Sequence, residues 1–223
     1  MKIRFILLFA LMLGFMASNA QYKQFNLGLR AAPQISWMKP NVDSYTNAGS
    51  KIGFGWGFVA EYNFTENHSF GTGFNVVFNG GKLEFQHKEG ANTGVMNRNY
   101  SLKAIELPLT LKMRTNEMGG LKYYGQIGFG TSFNIGSKAT DEFKYGTTTV
   151  SGDKYTYDDI AFIRESLILG IGAEYTLQAG TILSGGLAFN NGFTDILRGK
   201  NSVTDIKEKG AVNFVELNVA VLF

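Results

Sequence analysis

Apolar and polar residues alternate with a period of two through most of the chain, which is the pattern of β-strands with two different faces. In residues 25–37, apolar side chains occupy the odd positions, and polar or small ones occupy most even positions. Seven further segments follow the same rule: 52–64, 70–78, 105–113, 121–135, 167–177, 181–193 and 215–223. The sequence therefore predicts an all-β protein with eight antiparallel strands.

Short and long connections alternate between these strands. The short ones cover residues 63–68, 114–120 and 178–180, and the long, polar ones cover 38–51, 80–99, 137–158 and 194–210. Short turns on one side and long loops on the other, joining an even number of strands, are typical of outer-membrane β-barrels. We therefore expect an up-and-down transmembrane β-barrel in the outer membrane, with both termini and the short turns on the periplasmic side.

The polar face of the predicted strands is expected to point into the barrel. It is rich in glycine, as in Gly53-x-Gly55-x-Gly57, and an eight-stranded barrel needs small residues because its interior only just holds side chains. Six charges lie on this face: Arg30, Glu61, Glu106, Lys112, Glu174 and Glu216. Facing lipid, they would cost on the order of 10 kcal/mol in total, at up to about 2 to 4 kcal/mol for a basic residue. Inside the barrel they can pair, so we predict an interior polar network that stabilises the fold.

The strand ends carry further barrel features. Aromatic residues concentrate there, as interfacial girdles require: Trp37, Trp56, Tyr62, Phe64, Phe70, Phe78, Tyr123 and Tyr175. Phe223 ends an amphipathic last strand and predicts a C-terminal signal for the barrel-assembly machinery. Pro108 has no N–H to donate in a closed sheet, so we predict a bulge or kink in the fourth strand.

The N-terminus predicts an export signal. Lys2 and Arg4 precede an apolar run over residues 5–16, and residues 18–20 read Ser-Asn-Ala, a small-x-small cleavage pattern. We expect residues 1–20 to be a cleavable signal peptide and residues 21–223 to form one barrel domain. An uncleaved helical anchor is the alternative for this segment, although the apolar run is short for a membrane span.

Composition narrows the possible partners. The chain has 21 Lys and Arg against 18 Asp and Glu, and two of the basic residues belong to the export signal, so no basic face for nucleic acid is expected. It has no cysteine, which excludes disulfides and thiolate metal sites. The 28 glycines and 14% aromatic content would also suit a water-soluble β-sandwich, whose apolar faces would meet in a dry centre.

Three segments resemble the PorT-like family of outer-membrane β-barrel proteins. They are GLRAAPQISWMKP at residues 28–40, IELPLTLK at 105–112 and YYGQIG at 123–128. An acidic-apolar-proline run inside a strand is the most specific of the three. The resemblance implies the barrel fold, and it implies an accessory role in type IX protein secretion.

Candidate chemistry is sparse. The chain has two histidines: His68 lies in a short turn, and His87 lies in a long loop without a fixed serine beside it. Asp153, Asp158 and Asp159 lack the spacing of a calcium loop. We therefore predict no catalytic, cofactor or metal site.

The predicted function is a non-enzymatic structural or accessory role in the cell envelope. The expected partners are outer-membrane lipid, the assembly machinery, and envelope or secretion proteins that contact the long loops. An outer-leaflet lipid-modifying enzyme and a narrow channel are the alternatives.

Overall fold

The protein consists of ten antiparallel strands in a computed structural model that describes residues 23–156, 158–177 and 180–223. The predicted signal peptide and the residues at 178 and 179 lie outside the described part. The strands are β1 Phe25–Pro40, β2 Tyr45–Gly49, β3 Lys51–Asn63, β4 His68–Glu89, β5 Asn92–Arg114, β6 Leu121–Tyr145, β7 Thr148–Tyr155, β8 Ile163–Thr176, β9 Ile182–Gly192 and β10 Gly210–Leu222. Among the described residues, no helix is long and apolar enough to cross a membrane.

Eight of these strands close into a ring. Each of them pairs with its neighbours in the order β1, β3, β4, β5, β6, β8, β9 and β10, and β10 pairs with β1 again. The closing register sets Leu29 opposite Val221 and Gln34 opposite Glu216. This ring confirms the predicted eight-stranded up-and-down barrel, while β2 and β7 pair with β4 and β6 outside it.

Apolar side chains cover the outside of the barrel. Phe54, Trp56, Leu107 and Leu217 have exposed fractions of 42%, 47%, 43% and 48%, so they do not converge on a dry centre. This observation excludes the soluble sandwich. We call the exposed apolar surface of the eight ring strands the apolar belt; it includes Phe25, Leu29, Phe58, Phe70, Phe78, Leu109, Ile127, Phe129, Leu169, Ile171, Leu187 and Val219.

Three of the four predicted long loops are mostly strand. In the first, 38–51, β1 continues to Pro40 and β2 covers Tyr45–Gly49. β4 and β5 continue to a tight turn after Glu89, and β6 extends to Tyr145, so the regions predicted as loops at 80–99 and 137–158 pair almost throughout. The alternation continues above the apolar belt, but its polarity is reversed, with apolar residues inside and polar ones outside. Because this part of the sheet is surrounded by water instead of lipid, its apolar side chains are buried in the interior.

We call this part of the molecule the crown. It comprises β2, β7, residues 80–89 of β4, 92–102 of β5 and 136–145 of β6, and the connections 158–162 and 193–209. Its interior is a hydrophobic core that includes Met38, Tyr45, Leu83, Phe85, Met96, Tyr100, Phe143, Ile196, Leu197 and Val212.

A β-bulge in β6 adapts this strand to the change of surroundings. Ala104 of β5 pairs with Asn134, whereas Lys103 pairs with Gly136, so Ile135 is the extra residue. The insertion of one residue reverses which face the following side chains occupy. As a result, Phe143 points into the crown instead of into water.

The bulge predicted at Pro108 is absent. Pro108 pairs with Gly130 of β6 without a register shift, and the irregularity lies at Lys103 and Ala104 instead. On the other side, the ladder with β4 omits Leu107 and Pro108, and the hydroxyl of Thr72 donates to the carbonyl of Pro108 at 2.9 Å. This bond gives the Pro108 carbonyl a donor where the ladder is interrupted, and the interruption omits two residues on each strand, so neither strand carries an extra residue.

Candidate functional site

A four-residue ion cluster fills the barrel interior near the short turns. Lys112 Nζ lies 2.9 Å from Glu174 Oε1, and Arg114 Nε lies 2.5 Å from Glu174 Oε2. Both cations also contact Glu61. Glu61 and Glu174 are only 2% and 3% exposed. Because two cations meet two anions, the cluster is electrically neutral, which a buried group of charges requires.

A second polar group lies higher in the interior. Arg30 Nη2 contacts Glu216 Oε1 at 2.6 Å. Arg164 lies 3.7 Å from Glu106 and donates to Asn190 Oδ1 at 2.5 Å and to the carbonyl of Val212 at 3.0 Å. These bonds join β1, β5, β8, β9 and β10 across the lumen.

The structure brings the six predicted interior charges into two groups. Lys112, Glu61 and Glu174 meet in the lower cluster, whereas Arg30, Glu216 and Glu106 lie in the upper group. Sequence reasoning missed two arginines, because it assigned Arg114 to a turn and started the sixth strand only after Arg164. Both lie on the inward parity of their strands, in step with Lys112 and Ser166, and extending the alternation by a few residues would have found them.

An aromatic ring narrows the lumen beside the lower cluster. Tyr124 lies next to Gly172 and Gly186, where an added Cβ would come within 2.5 Å of its hydroxyl oxygen. Lys112 Nζ lies 4.6 Å from the ring centroid, in a cation–π contact. The two glycines therefore provide the space for the ring, and the ring and the ion cluster together occupy the interior at this level.

The crown is closed by its own contacts. Arg98 binds Asp141 with two bonds of 2.6 Å and stacks over Phe85 at 5.5 Å. Burial alone would lower the pKa of Arg98, but its bonds to Asp141 raise it overall, so the arginine stays charged. Tyr45 donates to Glu208 Oε1 at 2.7 Å, and burial together with this acceptor raises its pKa. The first contact joins β5 to β6, and the second fastens the connection 193–209 to β2. Asn201 Nδ2 donates to the carbonyl of Gln86 at 3.0 Å and fastens the same connection to β4.

His87 has a serine neighbour that the sequence did not indicate. Ser202 Oγ lies 3.0 Å from His87 Nδ1 and accepts the backbone N–H of Lys88 at 2.8 Å. Burial, and then the charge of Arg98, lower the pKa of His87. Within the described residues, no carboxylate bonds to His87, so the pair lacks the third group that orients a catalytic base.

The remaining candidates have local roles. Thr65 Oγ1 lies 2.9 Å from His68 Nδ1 within the turn. Asp153 accepts from Thr140 at 3.0 Å, and Asp159 pairs with Lys154 at 2.9 Å. In the part of the chain that the structure describes, no group of three or more His, Cys, Asp or Glu residues could hold a metal ion.

Phe223 lies beside the first strand at the end where the short turns lie. Its N–H donates to the carbonyl of Leu27 at 2.7 Å, and its carbonyl accepts from Leu27 at 3.0 Å. Its ring is 59% exposed on the outside of the barrel. The terminal aromatic side chain is therefore accessible beside the seam where β10 meets β1.

The chain resembles known proteins over most of its length. A family model described as "Outer membrane protein beta-barrel domain" matches residues 16–198. No curated protein matches. Similar solved structures include Neisserial surface protein A, with 16% identity, 90% of this chain and 96% of that chain covered, and a TM-score of 0.49. OprG from Pseudomonas aeruginosa has 12% identity, coverages of 89% and 95%, and a TM-score of 0.48. Ail from Yersinia pestis has 15% identity, coverages of 90% and 100%, and a TM-score of 0.37.

Proposed function

Because the chain belongs to the family of outer membrane protein beta-barrel domains, we propose that it is a non-enzymatic accessory protein of the envelope whose crown binds other envelope proteins. In this proposal both termini face the periplasm, and the crown projects from the outer surface of the cell. An accessory role in type IX secretion, expected from the resemblance to PorT-like proteins, belongs to the same proposal.

The closed interior is the observation that carries the proposal. The ion cluster of Glu61, Lys112, Arg114 and Glu174 fills one end, and the hydrophobic core of the crown fills the other. A lumen filled by side chains supports neither conduction nor the entry of a substrate. What remains for function is the outer surface, where long paired strands and a dedicated core support a rigid platform.

The Ser202 and His87 pair favours the enzyme alternative, but its position argues against a lipid substrate. His87 follows Phe78, at the edge of the apolar belt, by nine residues of β4. At about 3.3 Å per residue, the two lie about 30 Å apart along the strand. An acyl ester in the outer leaflet therefore lies far from the pair.

We expect no ion conductance from this barrel. Purified protein inserted into planar lipid bilayers should leave the current at the level of the protein-free membrane, because buried side chains occupy both ends of the lumen. Single-channel recording measures this directly, and insertion is verified by the heat-dependent gel shift typical of folded barrels. Reproducible current steps from the folded protein would contradict the sealed interior and support the channel alternative.

Gene deletion with complementation tests the accessory role. We expect the deletion strain to lose secreted proteins, and we expect wild type and His87→Ala to restore them equally. The lipids of the outer leaflet should be the same in all strains when they are analysed by mass spectrometry. Normal secretion in the deletion strain would remove the secretion role, and a lipid change reversed by wild type but not by His87→Ala would establish an enzyme.

A further inference from the structure

An open groove runs along the outside of the barrel where the apolar belt meets the crown. It encloses about 540 Å³ and is lined by β3, β4, β5, β6 and the end of β7. Ile52 and Phe78 form its apolar side and are 84% and 39% exposed. Gly136, the residue after the bulge, presents no side chain on this face, and its position leaves the floor of the groove open.

Three lysines surround this groove. Lys103 Nζ lies 5.5 Å from the ring centroid of Phe78, and Lys138 Nζ lies 5.2 Å from that of Tyr155. Lys51 Nζ reaches across β4 to the hydroxyl of Ser101 and to the carbonyl of Tyr100 at 3.4 Å. The register fixes this convergence, because Lys103 pairs with both Phe78 and Gly136, and Lys138 pairs with Tyr155.

None of these three lysines forms an ion pair with a carboxylate among the described residues. Two acidic residues of the adjacent strands β6 and β7, Glu142 and Asp153, have other partners. Glu142 pairs with Lys144 at 3.0 Å, and Asp153 accepts from Thr140. The groove therefore carries a net positive charge directly beside an apolar surface.

This combination matches one kind of ligand. A lipid with a phosphorylated headgroup places its acyl chains against the apolar belt and its phosphates at the edge of the bilayer. Lysines near a membrane surface extend their charged ends towards the headgroups. A basic cluster attracts anionic headgroups, and each basic residue adds to the attraction.

We propose that this groove is a binding site for an anionic phosphorylated lipid of the leaflet on the crown side. Lys51, Lys103 and Lys138 bind the phosphate oxygens, and an acyl chain lies over Gly136 between Ile52 and Phe78. The proposal rests on the envelope location and on the orientation proposed above. It gives the barrel a fixed lipid at the point where the crown leaves the membrane.

Native mass spectrometry of the folded protein in maltoside micelles tests the site. Titration with diphosphoryl lipid A should give one retained lipid, bound about tenfold or more tightly than phosphatidylcholine. The double substitution Lys103→Gln and Lys138→Gln should weaken lipid A binding by about tenfold or more. Lys39→Gln is the matched control, because Lys39 is an exposed lysine at the crown end of β1 and lies outside the groove. This variant should bind lipid A as wild type does.

A second variant tests the shape of the groove without altering its charge. An added Cβ at Gly136 meets only the Cβ of Lys103, at 3.8 Å, so a side chain can leave the backbone here without a clash, and Gly136→Leu is designed to fill the floor. We expect it to weaken binding of lipid A but to leave the weak binding of inorganic phosphate unchanged.

Three outcomes contradict the site. Lipid A affinity unchanged by both the double lysine variant and Gly136→Leu would overturn it, as would phosphatidylcholine binding equally well or inorganic phosphate competing as strongly as the lipid. The gel shift and β-type circular dichroism show whether each variant is folded. A barrel that never folds into lipid would instead refute the proposed envelope function.

Discussion

Replacing Arg114 by methionine is expected to lower the free energy of unfolding by about 3 to 5 kcal/mol. The substitution leaves Glu61 and Glu174 buried with Lys112 as their only cation, so one negative charge is left without compensation. The neighbouring hydroxyl of Ser69 also loses its bond to Arg114 at 2.8 Å. Urea unfolding of the barrel in lipid vesicles, followed by tryptophan fluorescence, measures the change.

Two further variants make this result specific to the buried charge. Lys154→Met breaks the exposed pair with Asp159, in which the side chains are 50% and 36% exposed, and should cost less than about 1 kcal/mol. Adding Glu174→Gln to Arg114→Met restores the charge balance and should recover part of the loss. If the double variant is no more stable than Arg114→Met alone, the cost does not come from the uncompensated carboxylate.

Replacing Phe143 by alanine is expected to destabilise the crown by about 3 to 5 kcal/mol, the usual cost of removing a buried phenylalanine ring. Phe143 is 3% exposed and packs edge-on against His87 at 5.6 Å and beside Tyr145 at 5.2 Å. Because the crown has a core of its own, the loss should appear as local opening. Amide hydrogen exchange should accelerate at the outer ends of β5 and β6, while amides within the apolar belt stay protected.

Phe129→Ala provides the matched control for this experiment. It removes the same ring from the same strand, but Phe129 lies outside the barrel, 59% exposed, in the apolar belt. Exchange in the crown should then match wild type. Equal acceleration in the crown and the belt of Phe143→Ala would mean that the two parts unfold together and that the crown is not a separate unit.

The sequence predicted the membrane part of this fold well. Within the apolar belt, one face of each strand contacts lipid and the other lines a polar lumen. The alternation of apolar and polar residues from Phe25 to Trp37 therefore predicts which side chains point outward and which point inward. The number of ring strands, their order and the outward direction of Trp56 and Leu107 follow from this contrast.

Prediction failed where the solvent changes. In the crown, the inward positions are apolar, as at Leu83, Phe85 and Phe143, whereas within the apolar belt the inward positions of the same strands are mostly polar or glycine. An analysis that expects apolar residues on the outside therefore does not recognise these segments as strands. The bulge at Ile135 also moves the parity of β6 by one residue. Ser202 gains its partner His87 only through a contact distant in sequence, which no local pattern contains.

The tips of the two long hairpins follow from the crown having its own core. Gly90 and Gly146 turn the chain with φ of 60° and 53°, and an added Cβ at either position meets no atom within 4 Å. Peptides grafted at these two turns would extend into open water, away from the apolar belt that has to insert into lipid when the barrel folds. The molecule is therefore a natural display scaffold, on which foreign epitopes can be presented from the surface of a cell.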